Sequence, residues 1–130
     1  MRALIVEDEF LSRKVLRNFL TSLFTVDIVV NGQEAIDAFL LAHEESHPYD
    51  LILMDIMMPE IDGIEALERI REWEGKNDVR NGVNVIMTTA LDDPKTVIKS
   101  FYKGGASAYI VKPVDKEKLF IELKKLGLIS

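Results

Sequence analysis

Cysteine is absent from this 130-residue sequence, which excludes disulfide bonds, thiolate nucleophiles and cysteine-based zinc or iron–sulfur sites. Long apolar runs are absent as well, and none approaches the roughly 20 residues that a membrane-spanning helix needs. The short run Ala3–Val6 is too brief for the core of a signal peptide, and no small-residue cleavage site follows it. These absences predict a soluble protein and are compatible with a cytoplasmic location.

Positive charge is in short supply, with 16 lysines and arginines against 22 acidic residues and a net charge of −6. Because lysine and arginine contacts to phosphate dominate nucleic-acid affinity, this balance argues against direct binding of nucleic acid or of an anionic membrane. The remaining composition, 48% hydrophobic and 29% charged, is typical of a globular domain. We expect a single domain over residues 1–130. Met1 lies two residues before the first predicted strand, which favours a complete short protein over a fragment of a longer one.

Short apolar runs alternate with segments of helical periodicity along the whole chain. Five predicted strands result: Ala3–Val6, Val26–Val30, Leu51–Met54, Val83–Met87 and Ala108–Val111. Strands that alternate with helices indicate right-handed crossovers and a parallel sheet covered on both faces. The predicted fold class is therefore α/β, a doubly wound (βα)5 domain with a flavodoxin-like strand order of 2-1-3-4-5.

Helix starts and ends are marked by capping residues and breakers. Asn31, Asp62, Asp93 and Asp115 are predicted caps, and Glu34 is placed to reach back to the second helix start. Proline after His47 is expected to end the second helix, and Gly104 with Gly105 the fourth. The predicted buried face of the first helix consists of Leu11, Val15, Leu16, Phe19, Leu20 and Leu23. Asp27 interrupts the second strand, which indicates an edge position.

Polar residues follow four of the five predicted strands: Glu7 and Asp8, then Asp55, then Thr89, then Lys112. In a doubly wound sheet these strand ends meet at one edge, where ligands bind. Carboxylates gathered there repel one another unless some are protonated or a cation lies among them. Oxygen ligands favour Mg²⁺ or Ca²⁺, and a few carboxylates with water favour Mg²⁺. Asp55 is the candidate nucleophile for an acyl phosphate, with Lys112 and Thr89 as partners of the phosphoryl oxygens.

Five motifs occur in order at these strand ends: Ile5–Glu9, Asp50–Pro59, Asp62-Gly63, Met87–Ala90 and Gly104–Pro113. Together they resemble the receiver domain of bacterial response regulators, most closely the single-domain, CheY-like type, over essentially the whole chain. The resemblance implies a phosphoacceptor of two-component signal transduction. The phosphoryl donor would be a sensor histidine kinase or a histidine phosphotransfer protein.

The resemblance also implies a role for each matched residue. Asp55 corresponds to the phosphoacceptor, Lys112 to the lysine that pairs with the phosphoryl group, and Thr89 to the hydroxyl that follows it. The Ala90 backbone amide would contact the phosphoryl group. The Mg²⁺ ligands would be Glu7, Asp8, Asp55 and the backbone carbonyl of Met57. The bond between Lys112 and Pro113 is usually cis in such domains.

Phosphorylation in this family biases an equilibrium between inactive and active states, with Thr89 and Tyr109 as the implied switch residues. The surface that changes for a downstream protein would comprise the fourth helix, the fifth strand and the fifth helix, including Lys95, Lys99, Tyr102, Tyr109 and Lys116. A monomer or a phosphorylation-linked dimer is implied, and a signalling protein rather than an enzyme. The downstream role stays open between a flagellar motor, a relay and a phosphate sink.

Two departures from the family pattern affect these expectations. Glu7 stands where many members have aspartate, and we expect metal binding to survive the longer side chain. Met57 and Leu91 are apolar at positions that flank the path of the hydrolytic water, so we expect slow self-dephosphorylation.

Four other interpretations compete with this one. A phosphatase of the haloacid-dehalogenase type would need a second aspartate where Met57 stands. A flavodoxin-like electron carrier would need a phosphate-binding loop in place of Glu7–Glu9. A pseudo-receiver, which acts as an interaction module without phosphorylation, would not need the full set of polar residues. His43 and His47 have a spacing that can bind zinc, but no third ligand is evident, so a surface pair is expected.

Overall fold

Strands and helices alternate along the chain as the hydrophobic pattern predicts. The computed structural model describes residues 1–90 and 105–130. Within these ranges the strands are β1 (Arg2–Val6), β2 (Thr25–Val29), β3 (Leu51–Asp55), β4 (Asn84–Thr89) and β5 (Ala108–Val111). The helices are α1 (Phe10–Leu20), α2 (Gly32–Glu44), α3 (Gly63–Lys76) and α4 (Lys116–Lys125). Here α4 is the predicted fifth helix, because Leu91 and the predicted fourth helix, Asp93 to Gly104, lie outside the described residues.

The strands form a parallel sheet in the order β2-β1-β3-β4-β5, which confirms the predicted fold class. β2 lies at one edge, as the polar Asp27 indicates. The Asp27 carboxylate accepts hydrogen bonds from the Tyr49 hydroxyl at 2.7 Å and from the Arg2 guanidinium at 2.8 Å. The charged residue on this edge strand is therefore partnered within the domain.

Successive side chains of a strand point to opposite faces of the sheet, and each face packs into its own hydrophobic core. Leu4 and Val6 face one core, and Ala3 and Ile5 face the other. The first core is shared with α2 and α3, through residues that include Ala35, Phe39, Ala42, Ile64, Leu67 and Ile70. The second is shared with α1 and α4, through Leu16, Leu20, Leu119 and Leu123. A sheet covered on both faces leaves its carboxyl edge as the place where polar groups gather.

The predicted caps of three helices are confirmed. The side chains of Asn31, Asp62 and Asp115 accept hydrogen bonds from backbone amides in the first turns of α2, α3 and α4 at 2.7 to 2.9 Å. The carboxylate of Glu34 accepts from the Val30 amide at 2.9 Å, which is the predicted reach back across the start of α2. These local contacts fix where each helix leaves the sheet edge.

One predicted helix end was wrong, and one predicted buried face was confirmed only in part. The second helix ends at Glu44, before His47, because Ser46 adopts a left-handed backbone conformation with φ of 62°. In the first helix only part of the predicted apolar face is buried: Leu16 and Leu20 are in the core, whereas Leu11 is 64% and Val15 43% exposed. The helix covers the sheet with a narrower face than its apolar residues span.

The two histidines lie in different surroundings. The ring of His43 packs 4.8 Å from that of Phe39 and 4.7 Å from that of Trp73, measured between ring centroids. His47 is exposed on the loop after α2. No helix within residues 1–90 and 105–130 combines the length and the apolar character that crossing a bilayer requires.

Candidate functional site

Two acidic residues are placed by the strands that precede them. Asp55 is the last residue of β3, and the next amide, that of Ile56, donates to the Thr88 carbonyl at 2.9 Å. Glu7 directly follows β1, and its amide donates to the Val29 carbonyl at 3.1 Å. Because backbone bonds of the sheet continue past the strand ends, both carboxylates are held at the same edge.

Lys112 joins these two carboxylates. Its ammonium lies 2.7 Å from Glu7 Oε1 and 3.1 Å from Asp55 Oδ2. Its backbone amide donates to the Thr89 carbonyl at 2.6 Å, so the pairing of β4 with β5 holds the backbone of Lys112 at this edge of the sheet. The bond from Lys112 to Pro113 is cis, as the family resemblance implies. The structure thus unites three of the predicted site residues through direct ion pairs.

Every carboxylate oxygen of Glu7 and Asp55 has a hydrogen-bond donor. Glu7 Oε2 accepts from the Asp8 amide at 3.0 Å, and Asp55 Oδ1 accepts from the Met57 amide at 3.2 Å. The remaining oxygens are those bound by Lys112. Buried carboxylates with all their oxygens bonded are held in one orientation, which is the preorganisation that a reactive group requires.

Among the described residues, Lys112 is the cation that forms ion pairs with Glu7 and Asp55. Glu7 and Asp55 are only 1% and 5% exposed, and both lie close to Asp8. Burial raises the pKa of Glu7, as does the neighbouring Asp55, while Lys112 opposes that shift. Burial also disfavours the charge of Lys112, but Glu7 and Asp55 outweigh it and raise the pKa of Lys112.

These acids fit a divalent cation by their chemistry. Ligand oxygens of Glu7, Asp8 and Asp55 lie within 4.8 Å of one another. Three carboxylates and one ammonium leave two negative charges, which is the charge that Mg²⁺ would neutralise. Among the residues that the structure describes, this is the single cluster of potential ligands.

The segment between β3 and α3 folds tightly against Asp55. The Gly63 amide donates to the Ile56 carbonyl at 2.9 Å, which closes the loop that carries Met57. A side chain at Gly63 would collide with the Asp55 carbonyl, and it would also lie 2.9 Å from the Met87 methyl group. Glycine is therefore required at this position by space rather than by backbone conformation.

Thr89 and Ala90 lie at the same edge of the sheet, whereas Tyr109 lies within β5. Thr89, buried at the end of β4, directly follows Thr88, which is paired with Asp55 across the sheet. Ala90 comes next and is exposed. Tyr109 lies in β5, 38% exposed, in a groove of about 480 Å³ that it shares with Ile121. Lys95, Lys99 and Tyr102 of the predicted signalling surface lie outside the described residues.

Two features beside the site were not predicted. A groove of about 460 Å³ runs between α1 and the segment after β5, lined by Leu11, Val15, Glu7, Lys112 and Pro113, among others. Arg13 contacts the loop that carries Glu7 and Asp8. The sequence contains an indication of this groove. The apolar residues near the start of α1 cover a wider part of the helix surface than one buried face needs: Phe10, Leu11, Val15 and Leu16. The sequence contains no such indication for Arg13, since a single arginine on a helix is usually a solvated residue.

Comparison with known proteins agrees with the fold. The family model for the response regulator receiver domain matches residues 3–124. The chemotaxis protein CheY of Halobacterium salinarum is 36% identical over 116 residues, which cover 88% of this chain and 87% of that protein. The chain spans about half the length of three other relatives, at 45%, 47% and 54%.

Two solved structures are similar over nearly the whole chain. One is the CheX–CheY–BeF3–Mg²⁺ complex of Borrelia burgdorferi, with 30% identity, a TM-score of 0.84, and 98% of this chain and 89% of that chain covered. The other is the Saccharomyces cerevisiae complex of the histidine phosphotransfer signaling protein Ypd1 with the receiver domain of Ssk1, with 28% identity, a TM-score of 0.84, and 98% and 88% covered. This chain belongs to the response regulator receiver domain family.

Proposed function

We propose that this receiver domain accepts a phosphoryl group on Asp55, in the presence of Mg²⁺, from a phosphohistidine of a sensor kinase or a phosphotransfer protein. The observation that carries the proposal is the contact of Lys112 with both Glu7 and Asp55 at the edge of the sheet. A buried, fully hydrogen-bonded carboxylate beside a lysine and further acids has the parts that phosphoryl transfer needs. The domain is then a phosphorylated signalling protein and not an enzyme for external substrates.

The reaction exchanges one bond for another at phosphorus. An oxygen of Asp55 attacks the phosphorus atom, the bond from phosphorus to the histidine nitrogen breaks, and the electron pair leaves with the imidazole. Lys112, the Thr89 hydroxyl and the Ala90 amide are the proposed donors to the phosphoryl oxygens. Glu7, Asp8, Asp55 and the Met57 carbonyl would hold Mg²⁺, which when bound neutralises charge on the phosphoryl oxygens.

The acyl phosphate would signal through Lys112. A phosphoryl group on Asp55 competes with Glu7 and Asp55 for the ammonium group and thereby acts on β5, which carries the proposed switch residue Tyr109 and is followed directly by Lys112. Tyr109 lines a groove together with Ile121 of α4, so a change in the position of Tyr109 would also alter the surface of α4. We propose that a downstream protein recognises this surface together with the predicted fourth helix.

The exposed apolar surface on α1 suits the phosphodonor protein. Phe10, Leu11 and Val15 are 65%, 64% and 43% exposed, and contiguous apolar surface of this kind marks interaction sites. Glu7 and Lys112 line the same groove as Leu11, so a protein bound there contacts two residues of the acceptor site. The related yeast receiver domain was crystallised with a histidine phosphotransfer protein, which supports a partner of that class.

Replacing Leu11 and Val15 together by serine should slow transfer from a histidine donor by about tenfold or more, because each residue is an apolar anchor. Phosphorylation by acetyl phosphate should be unchanged, since that small donor needs no docking surface. Leu41→Ser is the matched control: Leu41 is 53% exposed on α2, and its substitution should affect neither donor. Equal loss with both donors would instead mean that the double variant damages the acceptor site.

Intact-mass analysis tests the proposed function itself. After incubation with acetyl phosphate, the wild type should gain one phosphoryl group with Mg²⁺ and none with a chelator. Asp55→Asn should gain none under either condition. No gain in the wild type would favour a pseudo-receiver that acts as an interaction module. Release of phosphate from small phosphate esters would indicate an enzyme and contradict the proposal.

A further inference from the structure

Arg13 contacts the loop that holds the acidic pair. Its Nη1 donates to the backbone carbonyl of Glu7 at 3.2 Å and to that of Asp8 at 2.9 Å. The guanidinium also lies 5.7 Å from the centre of the Phe10 ring, a cation–π contact at an exposed site. Side chains of a helix lean towards its N-terminus, so a residue in the second turn of α1 is able to reach back to this loop.

The positive charge of Arg13 does not by itself favour the binding of Mg²⁺. Arg13 lies near the N-terminus of α1, where the helix dipole disfavours positive charge. It also lies beside the acids proposed to bind Mg²⁺, so its guanidinium would repel a Mg²⁺ ion bound there. A mere positive charge at this position would weaken cation binding. The benefit of Arg13 therefore has to come from its hydrogen bonds.

Those hydrogen bonds act on the least constrained part of the site. The Glu7 side chain is bonded by Lys112 and by the Asp8 amide. Asp8 is exposed, and its carboxylate makes no hydrogen bond or ion pair with the residues that the structure describes. The position of the Asp8 side chain is therefore set by its backbone. Arg13 donates hydrogen bonds to the carbonyl that precedes Asp8, which belongs to Glu7, and to the carbonyl of Asp8 itself.

We propose that Arg13 is a positioning residue, which presents the carboxylates of Glu7 and Asp8 to Mg²⁺ by holding their two backbone carbonyls. The inference rests on the proposed function, because it assumes that these acids bind the cation. Arg13 would thus support the Mg²⁺ site from α1, although it belongs neither to the acidic cluster nor to a strand end.

The sign of the change in Mg²⁺ affinity tests this role. Isothermal titration with Mg²⁺ should show about tenfold weaker binding for Arg13→Met, the scale of losing a group that orients a metal ligand. Arg13→Lys, which keeps the charge but not the planar donor group, should fall between Arg13→Met and the wild type. The matched control is Lys14→Met, which removes an exposed cation from the next position and should change affinity by less than about twofold. Unchanged or tighter binding by Arg13→Met would overturn the inference.

A kinetic readout separates positioning from a general structural defect. With acetyl phosphate as donor, Arg13→Met should need about tenfold more Mg²⁺ for half-maximal phosphorylation, while the rate at saturating Mg²⁺ stays within about twofold of the wild type. A lower maximal rate with unchanged Mg²⁺ dependence would overturn the positioning role. Failure of the wild type to bind Mg²⁺ at all would be a different result, because it would remove the proposed function itself.

Discussion

Lys112→Met is expected to lower the free energy of unfolding by about 2 kcal/mol at pH 7 in the absence of Mg²⁺. Lys112 is the cation that contacts both Glu7 and Asp55, which are 1% and 5% exposed. Its removal leaves these carboxylates buried without that partner, and the uncompensated charge costs more than the ion pair itself contributed. The same variant should also lose phosphorylation of Asp55.

The destabilisation should depend on pH in a defined direction. Burial already raises the pKa of Glu7 in the folded protein, and without Lys112 that pKa rises further. A carboxyl group whose folded pKa exceeds its unfolded value penalises folding at high pH, and the penalty shrinks as the pH falls below the folded value and is gone below the unfolded value. The effect of Lys112→Met should therefore shrink as the pH is lowered from 7 towards the ordinary glutamic acid value of 4.5.

Urea unfolding of the wild type and the variant, at pH 7 and pH 5 and with and without Mg²⁺, measures this effect. Mg²⁺ should recover part of the lost stability, because it supplies the missing positive charge. Lys118→Met is the control, since its 3.9 Å pair with Asp115 is exposed and should contribute less than about 0.5 kcal/mol. A loss that is equal at both pH values and insensitive to Mg²⁺ would show that these carboxylates do not act as a charged cluster.

Gly63→Ala is the second change with a large expected effect. The added methyl group would collide with the carbonyl of Asp55 and would lie 3.0 Å from Ile56 Cα, and backbone atoms at a strand end cannot move away cheaply. We expect a loss of about 2 kcal/mol in the free energy of unfolding, typical of overpacking in a tight interior. Because the displaced carbonyl belongs to Asp55, the proposed acceptor, phosphorylation by acetyl phosphate should slow by at least about tenfold.

Gly75→Ala is a matched control on the same helix. Gly75 has open space where a methyl group would lie, so alanine should raise helix stability by up to about 1 kcal/mol. Its phosphorylation rate should equal that of the wild type. If Gly63→Ala were as stable and as readily phosphorylated as Gly75→Ala, the tight packing of α3 against Asp55 would be wrong.

The position of the site could be predicted from the sequence because strand ends carry the information. Leu51–Met54 is apolar throughout, and the first polar residue after it, Asp55, ends β3 as a buried acid. Glu7 and Lys112 follow from the same rule, since parallel strands bring their carboxyl ends to one edge. The caps were predictable for a similar reason, because a cap depends on contacts within one turn.

What could not be predicted depends on contacts between distant segments. The ion pairs of Lys112 with Glu7 and Asp55 join residues far apart in the chain, and hydrophobic pattern says nothing about their distances. The burial of α1 was overestimated because periodicity locates an apolar face but not how much of it the sheet covers. Leu11 and Val15 lie on the uncovered part.

The most direct test of the account is to locate the phosphoryl group on the chain. Wild-type protein is incubated with acetyl phosphate and Mg²⁺, treated with borohydride, which reduces an acyl phosphate to an alcohol, and then digested and analysed by tandem mass spectrometry. If Asp55 is the phosphoacceptor, we expect the reduced side chain at Asp55 and at no other acidic residue. Reduction at Asp8 or Glu7, or phosphorylation that leaves Asp55 unmodified, would contradict it.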